Sequence, residues 1–183
     1  MSKEAGRDPE SVADDEKEVE PVRVLMASPI GRLALEFRGT AVVSLIIQPQ
    51  RKDARLYKTL DKIRLTDFLM EALGRLSEYL ASVRSNPDLE IDLEPSQVSG
   101  FAQRVLRQTL RIPHARTWTY TRLAEAAGRP GAYRLVQAAL AQNPIPILIP
   151  CHRVVPSKGG VGVYIAGTKK KEKLLKIEAQ LLV

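Results

Sequence analysis

The chain holds one cysteine, Cys151, and His152 and Arg153 follow it directly inside IPILIPCHRVVP, residues 145–156. A lone thiol cannot close an internal disulfide, and with only His114 and His152 beside it the sequence lacks the Cys/His set of a zinc site. The chemistry open to Cys151 is that of the thiol itself, a thiolate attacking as a nucleophile. Apolar neighbours work against this, because burial favours the neutral thiol and a cysteine in such surroundings is more often inert core. An imidazole able to take the proton would offset burial. His152 is adjacent, although neighbours on an extended strand face opposite ways, so adjacency does not guarantee contact. Pro144, Pro146 and Pro150 fix φ around the thiol and withhold backbone donors. The segment is therefore rigid and specifically shaped, which suits a positioned nucleophile and equally a structural connection.

The elements that must hold this segment can be read from periodicity. Residues 22–47 alternate apolar and polar around SPIG (28–31) and RGT (38–40), the pattern of short antiparallel strands joined by turns. From 66 to 82, Phe68, Leu69, Ala72, Leu73, Leu76 and Leu80 fall at helical spacing behind Thr66 as N-cap. Residues 83–99 read as a connection with one short strand at LEIDL, and a domain boundary is expected near residue 96. Beyond it, SGFAQRVLRQTLRI predicts a helix capped by Ser99, with Phe101, Val105, Leu106, Leu110 and Ile112 inward. TYTRLAEAAG predicts a short helix stopped by Gly128, and PGAYRLVQAALAQ a second with Pro130 in its first turn, ending before Asn143-Pro144. Two short helices across GRP make a helix-turn-helix, a spacing also common in proteins that never touch DNA. The last stretch, TKKKEKLLKIEAQLLV, predicts an amphipathic helix with Leu174, Leu175, Ile177 and Leu181 inward and its lysines mostly outward.

Charge is divided unevenly. Residues 1–20 hold eight acids against three bases and little apolar bulk, a composition that cannot repay ordering entropy, so a disordered tail is expected there. The remainder carries 25 Lys+Arg against 13 Asp+Glu, a net charge of +12. A polyanion is a natural partner for such a body, while solubility alone is the plainer explanation of the charge. The N-terminus lacks the pattern of a secretory signal, and AVVSLII (41–47) is too short to cross a bilayer, so a soluble, intracellular protein is expected.

The string NPIPILIPCHRVV, with TYTRLAEAAGRP and AYRLVQAAL before it and VGVYIAGTKKKEKLLKIE after it, resembles the active-site half of the O(6)-alkylguanine-DNA alkyltransferases, also called methylated-DNA-protein-cysteine methyltransferases. The resemblance covers about residues 99–178, and PCHRVV is its most specific part. It implies an α+β chain: a small N-terminal β-sheet-plus-helix domain of ribonuclease H-like type (21–95), then a mostly helical, winged-helix-like domain with a helix-turn-helix (96–183). The implied activity is DNA repair by direct reversal, a single irreversible transfer of a methyl or alkyl group from O6 of guanine in double-stranded DNA to the protein's own cysteine. O4 of thymine is a second site the resemblance allows. No cofactor, metal or membrane is implied, and the expected form is a monomer in the cytoplasm, nucleoid-associated in a prokaryote or nuclear in a eukaryote.

Site residues follow from the same resemblance. Cys151 would accept the alkyl group, with His152, through an ordered water, and Glu178 completing a relay that removes the thiol proton. Asn143 would tie the active-site segment to the helix-turn-helix, and Tyr120 would crowd the phosphate and donate to the guanine ring. Arg134 would enter the duplex in place of the flipped base, with Tyr120, Thr121, Ala132, Tyr133 and Ser157 as further DNA contacts. Pro146, Val154, Val155, Gly162, Tyr164 and Ile165 would shape the substrate pocket, with the backbone carbonyls of Cys151 and Val154 reading the guanine amino group. Two departures stand out. Tyr133, Leu135 and Gln137 surround Arg134 where the family presents small residues, and Ile165 replaces a glycine after Tyr164, which is expected to favour methyl over bulky adducts. The competing readings are a non-catalytic relative, which would lack the cysteine, and a plain helix-turn-helix regulator with an inert Cys151.

Overall fold

A computed structural model describes residues 20–59, 66–94, 98 and 100–180. The alternating N-terminal stretch forms β1 (Val22–Met26), β2 (Leu33–Arg38) and β3 (Ala41–Ile47), paired antiparallel as expected. Gly31 (φ 112°) and Gly39 (φ 59°) supply the left-handed backbone of the two turns. A bulge between Glu36 and Phe37 shifts the β2–β3 register. After a short helix α1 (Arg51–Ala54), β4 (Lys58–Thr59) joins β1 in parallel, giving the order β3-β2-β1-β4. Neither element was expected, because four and two residues are too few to show a period.

Helix α2 (Asp67–Leu80) begins where Thr66 Oγ1 accepts the Leu69 N–H at 3.3 Å, and it buries Leu69, Ala72, Leu73, Leu76, Tyr79 and Leu80 against the sheet side of the core. Phe68 meets Phe37 edge to face at 6.1 Å. The expected strand at LEIDL shrinks to a single parallel bridge, Ile91 to Val42 on the free edge of β3. Pro87 and the left-handed turn at Asp88 (φ 48°) leave too little extended chain for more. The expected boundary near 96 lies outside the described residues, as do the Ser99 cap, Leu181 and residues 1–19 of the tail.

Helix α3 (Gly100–Thr109) ends earlier than its apolar pattern predicts. Pro113 disfavours helical backbone before it, so Leu110 lies outside the helix at 40% exposure, while Ile112 is still buried from the following turn. A two-residue strand β5 (Trp118–Thr119) leads straight into α4 (Tyr120–Ala126), which Gly128 (φ 78°) terminates. Helix α5 (Tyr133–Ala141) completes the helix-turn-helix. Pro130 stands before this helix and not in its first turn, because Gly131 at φ 79° turns the chain between them. A 3-10 turn (Cys151–Arg153), β6 (Val154–Val155, parallel to β5) and α6 (Thr168–Gln180) follow. The lysines of α6 do not all face out: Lys171 is fully buried beside Leu174, Ile177 and Glu178, while Leu175 is only half-buried.

One apolar cluster runs through both halves, from Val24, Leu35 and Leu76 to Leu106, Leu123, Val136 and Ile149. The halves are also tied by backbone, since the Leu45 N–H of β3 donates to the Pro144 carbonyl at 2.9 Å, at the entrance to the cysteine segment. Among the described residues no helix is long and apolar enough to cross a membrane. Thr119 Oγ1 caps α4 by accepting the Arg122 N–H at 3.1 Å, so Thr119→Ala should lower unfolding stability by about 1 kcal/mol in a denaturant titration.

Candidate active site

The segment 143–151 is shaped by one side chain. Asn143 accepts the Ile145 N–H on Oδ1 at 3.0 Å, and its Nδ2 donates to the Ile149 carbonyl at 3.0 Å and to Cys151 Sγ at 3.1 Å. Ile147 between them sits at φ 80°, a conformation costly for a β-branched residue, which only a loop fixed from both sides would hold. The prolines and this strain deliver Cys151 onto the 3-10 turn with its thiol almost fully buried. Burial pushes that thiol up to about 11, against the opposing pull of the Asn143 hydrogen bond and the Lys171 ammonium. The resting nucleophile is a thiol, and the groups around it lower the cost of its ionisation without removing it.

His152 and Glu178, 26 residues apart, meet at 2.8 Å between Nε2 and Oε1 with both side chains fully buried. Burial would raise the Glu178 carboxyl, but hydrogen bonds and charge from His152 and Arg153 outweigh it and hold the group far below the ordinary carboxylate range. Burial likewise lowers the pKa of His152, which Glu178 only partly offsets, so the imidazole is neutral at pH 7 and the standing countercharge is Arg153. Arg153 Nε donates to both carboxylate oxygens at 2.9 and 3.1 Å, Nη2 to Oε1 at 2.7 Å, and Nη1 to the Ile112 carbonyl at 2.7 Å. The Ala115 N–H, from a residue at φ 54°, donates to Oε2 at 3.0 Å, and the Tyr79 hydroxyl to Oε1 at 2.6 Å. Because Nε2–H donates to an ionised carboxylate, Nδ1 carries the lone pair. That nitrogen is buried and has no hydrogen-bond partner among the described residues.

A cavity of about 110 Å³ opens at Cys151, walled by Tyr120, Gln137, Leu140, Ala141, Val163, Tyr164 and Ile165. Of the expected pocket residues, Tyr164 and Ile165 line it. Pro146, Val154, Val155 and Gly162 do not: Pro146 is buried inside the fixed loop, and Val154 and Val155 are paired with Trp118 and Thr119 in the parallel strands. Gly162 (φ 71°) backs the wall, since a Cβ there would come within 2.9 Å of Pro156 Cδ and 3.1 Å of the Tyr120 hydroxyl. The two carbonyls expected to read a base already accept one hydrogen bond each, Cys151 O from the Val154 N–H and Val154 O from Lys171 Nζ at 2.5 Å. Each keeps a second lone pair. Burial raises the pKa of the Tyr120 phenol, so it stays a donor at neutral pH.

Apart from Tyr120, which lines the cavity, the expected DNA contacts lie outside it. Arg134 is exposed in the first turn of α5, its guanidinium 5.9 Å from the centre of the Tyr133 ring. Tyr133 and Leu135 are about half exposed on either side of it, Thr121 and Ser157 are exposed, and Ala132 is the half-buried N-cap of α5. Sequence reasoning missed Tyr79, Arg153, Lys171 and the α5 wall of Gln137, Leu140 and Ala141. Lys171 was legible in outline, because it falls on the same helical stripe as Leu174 and Glu178. Burial lowers its pKa to about 8, and the charge of Cys151 opposes that lowering.

The model of the 6-O-methylguanine DNA methyltransferase DNA binding domain matches residues 100–180. A methylated-DNA–protein-cysteine methyltransferase of Mycobacterium tuberculosis is 34% identical over 152 residues, 82% of this chain and 88% of its own length. That of Mycobacterium leprae is 35% identical over 153 residues, covering 84% and 89%. The crystal structure of Mycobacterium tuberculosis OGT in complex with DNA superposes with a TM-score of 0.74 at 31% identity, over 87% of this chain and 93% of that one. For the protein without DNA, reaction of Cys151 with iodoacetamide should be slow at pH 7 and climb with pH toward about 11, read by mass spectrometry of the modified peptide.

Proposed function

The chain belongs to the methylated-DNA–protein-cysteine methyltransferases, and from that membership we propose how its own residues carry out the transfer of an alkyl group from damaged DNA to Cys151. The protein is a DNA-repair methyltransferase and DNA is its partner. Its substrate is double-stranded DNA bearing an O6-alkylated guanine, rotated out of the helix into the cavity at Cys151. The observation that carries the reading is a buried thiol at a cavity, followed directly by a neutral imidazole with one free lone pair whose other nitrogen is held by an ionised carboxylate.

His152 Nδ1 draws the proton from sulfur through a water, and Glu178 holds the resulting imidazolium. The sulfur then forms its bond to the alkyl carbon as the carbon–O6 bond breaks. The electron pair goes to the guanine, whose ring nitrogen takes a proton, and Tyr120 donates to the ring as charge develops there. Asn143 Nδ2, already on Sγ at 3.1 Å, and the Lys171 ammonium lower the cost of forming the anion. The product is a thioether with no leaving group, so each molecule reacts once.

Arg134 fills the gap left in the duplex, and Thr121, Ala132, Tyr133 and Ser157 contact the backbone around it. The finer architecture we propose is a ribonuclease H-like domain over residues 21–95 followed by a winged-helix-like domain over 96–183, in a monomeric, cytoplasmic protein. The antiparallel sheet with α2 on it, and the helix-turn-helix beside the short β5–β6 pair, support that division. DNA binding by so basic a body should weaken steeply with added salt.

Incubation with methylated duplex should add one methyl group to the intact mass, localised to Cys151, and Cys151→Ser should stay at its original mass while keeping its fold. An unchanged mass of the folded wild type would end the repair reading. Ile165, 49% exposed at the cavity rim, narrows the entrance, so Ile165→Gly should raise the reaction rate with benzylated guanine relative to methylated guanine by about tenfold in single-turnover assays.

A further inference from the structure

Among the described residues the relay carboxylate has one donor from the other half of the chain. Tyr79, in the last turn of α2, is fully buried, and its hydroxyl lies 2.6 Å from Glu178 Oε1, the oxygen that His152 Nε2–H reaches at 2.8 Å. The same hydroxyl is 3.4 Å from Nε2 itself. Among the described residues every other donor to Glu178 comes from Ala115, His152 or Arg153. The end of α2 is fixed on α6 by a second contact, Ser82 Oγ donating to the Ile177 carbonyl at 3.0 Å, one residue before the carboxylate. The Tyr79 ring is held edge-on to His114 at 6.4 Å. Nothing in the helical periodicity of α2 assigns this hydroxyl a task beyond burial, and Leu at the same position would fill the core as well.

We propose that Tyr79 is a positioning residue of the relay: its hydroxyl fixes the rotation of the Glu178 carboxylate and competes with His152 for Oε1, so that this one hydrogen bond sets the basicity of His152 Nδ1. An oxygen that already accepts a short phenolic hydrogen bond and two from a guanidinium offers less negative charge to the imidazole. Removing the phenol leaves that charge for His152 and frees the carboxylate to turn. The groups facing Glu178 are Tyr79 from α2, His114 and the Ala115 N–H from the loop before β5, and His152 and Arg153 from the 3-10 turn, with Lys171 nearby on α6 itself. Burial raises the Tyr79 pKa well above the ordinary phenol value, so it remains a donor throughout the range to be tested.

The proposal rests on His152 acting as the base, and the test separates the two. Full-length protein carrying Tyr79→Phe is mixed with saturating methylated duplex, and the first-order transfer rate is followed from about pH 5 to 9. The rate should fall on the order of tenfold with DNA affinity unchanged, and the acidic limb of the profile should move to higher pH. Placing 3-fluorotyrosine at this position strengthens the donor without changing its shape, and should move the limb to lower pH. Ser82→Ala loosens the neighbouring contact with α6 without touching the carboxylate; it should lower the thermal midpoint and leave the limb in place. An unmoved rate and limb in Tyr79→Phe, or an equal limb shift in Ser82→Ala, overturns the proposal. Should Tyr79→Phe fail to fold, the fluorotyrosine protein decides, and an unshifted limb there overturns it as well. Failure of the underlying reading looks different, because the wild type itself would then gain no methyl group.

Discussion

The Glu178 carboxylate is the fixed point of this molecule. It lies fully buried, which for an isolated ion would be prohibitively costly, and it persists because Arg153 neutralises it and the Ala115, His152 and Tyr79 donors saturate its oxygens. Removing one member of such a set strands the others, typically at about 3–5 kcal/mol, so the network holds as a unit. Its members come from α2, the loop before β5, the 3-10 turn and α6, and they therefore fix how these four pieces sit together. The same bonds that secure the fold leave the imidazole with one nitrogen committed and the other free.

Placing a reactive thiol beside this network creates a conflict between dryness and ionisation. A dry site aims the sulfur and strengthens every dipole around it, yet it also holds the thiol near a pKa of about 11. The surroundings reduce the conflict without abolishing it. Asn143 donates to the sulfur while its other two bonds hold the strained loop around Ile147. Lys171 brings a charge whose own burial is offset by the carbonyls of Val154 and Val163. A nucleophile that rests as the thiol is protected from adventitious reaction, which matters for a protein proposed to react only once.

The outer face obeys different constraints. Arg134, Tyr133 and Leu135 project from the first turn of α5, while Gln137, Leu140 and Ala141 further along the same helix wall the cavity. One helix thus carries both the group proposed to enter the duplex and part of the pocket proposed to receive the base. The cation–π contact of Arg134 with Tyr133 is worth about 0.5–1 kcal/mol when exposed, small enough to exchange for contacts with DNA.

Much of this was legible in the sequence, because local rules decide it. Alternation fixed the three-stranded meander, helical spacing behind Thr66 marked α2, glycines marked the stops, and the PCHRVV string with its flanking Asn143, Tyr120 and Glu178 pointed to alkyl transfer. Short elements without a period, α1 and β4, were beyond such rules, as was the early end of α3, and the strand expected at LEIDL was over-read. So were the partners. That Tyr79 would be buried follows from its place beside Leu76 on one helical face, but its hydrogen bond spans 99 residues and depends on how α2 docks on α6. Val154 and Pro146, which the resemblance implied as pocket residues, are not among those lining the cavity, because which side of a loop faces open space is set by what packs behind it. The sequence by itself determined the elements and the chemical type of each reactive group, since those depend on neighbours along the chain; only the tertiary structure decided which groups share one oxygen, one charge and one cavity, since those depend on distances that the chain order does not encode.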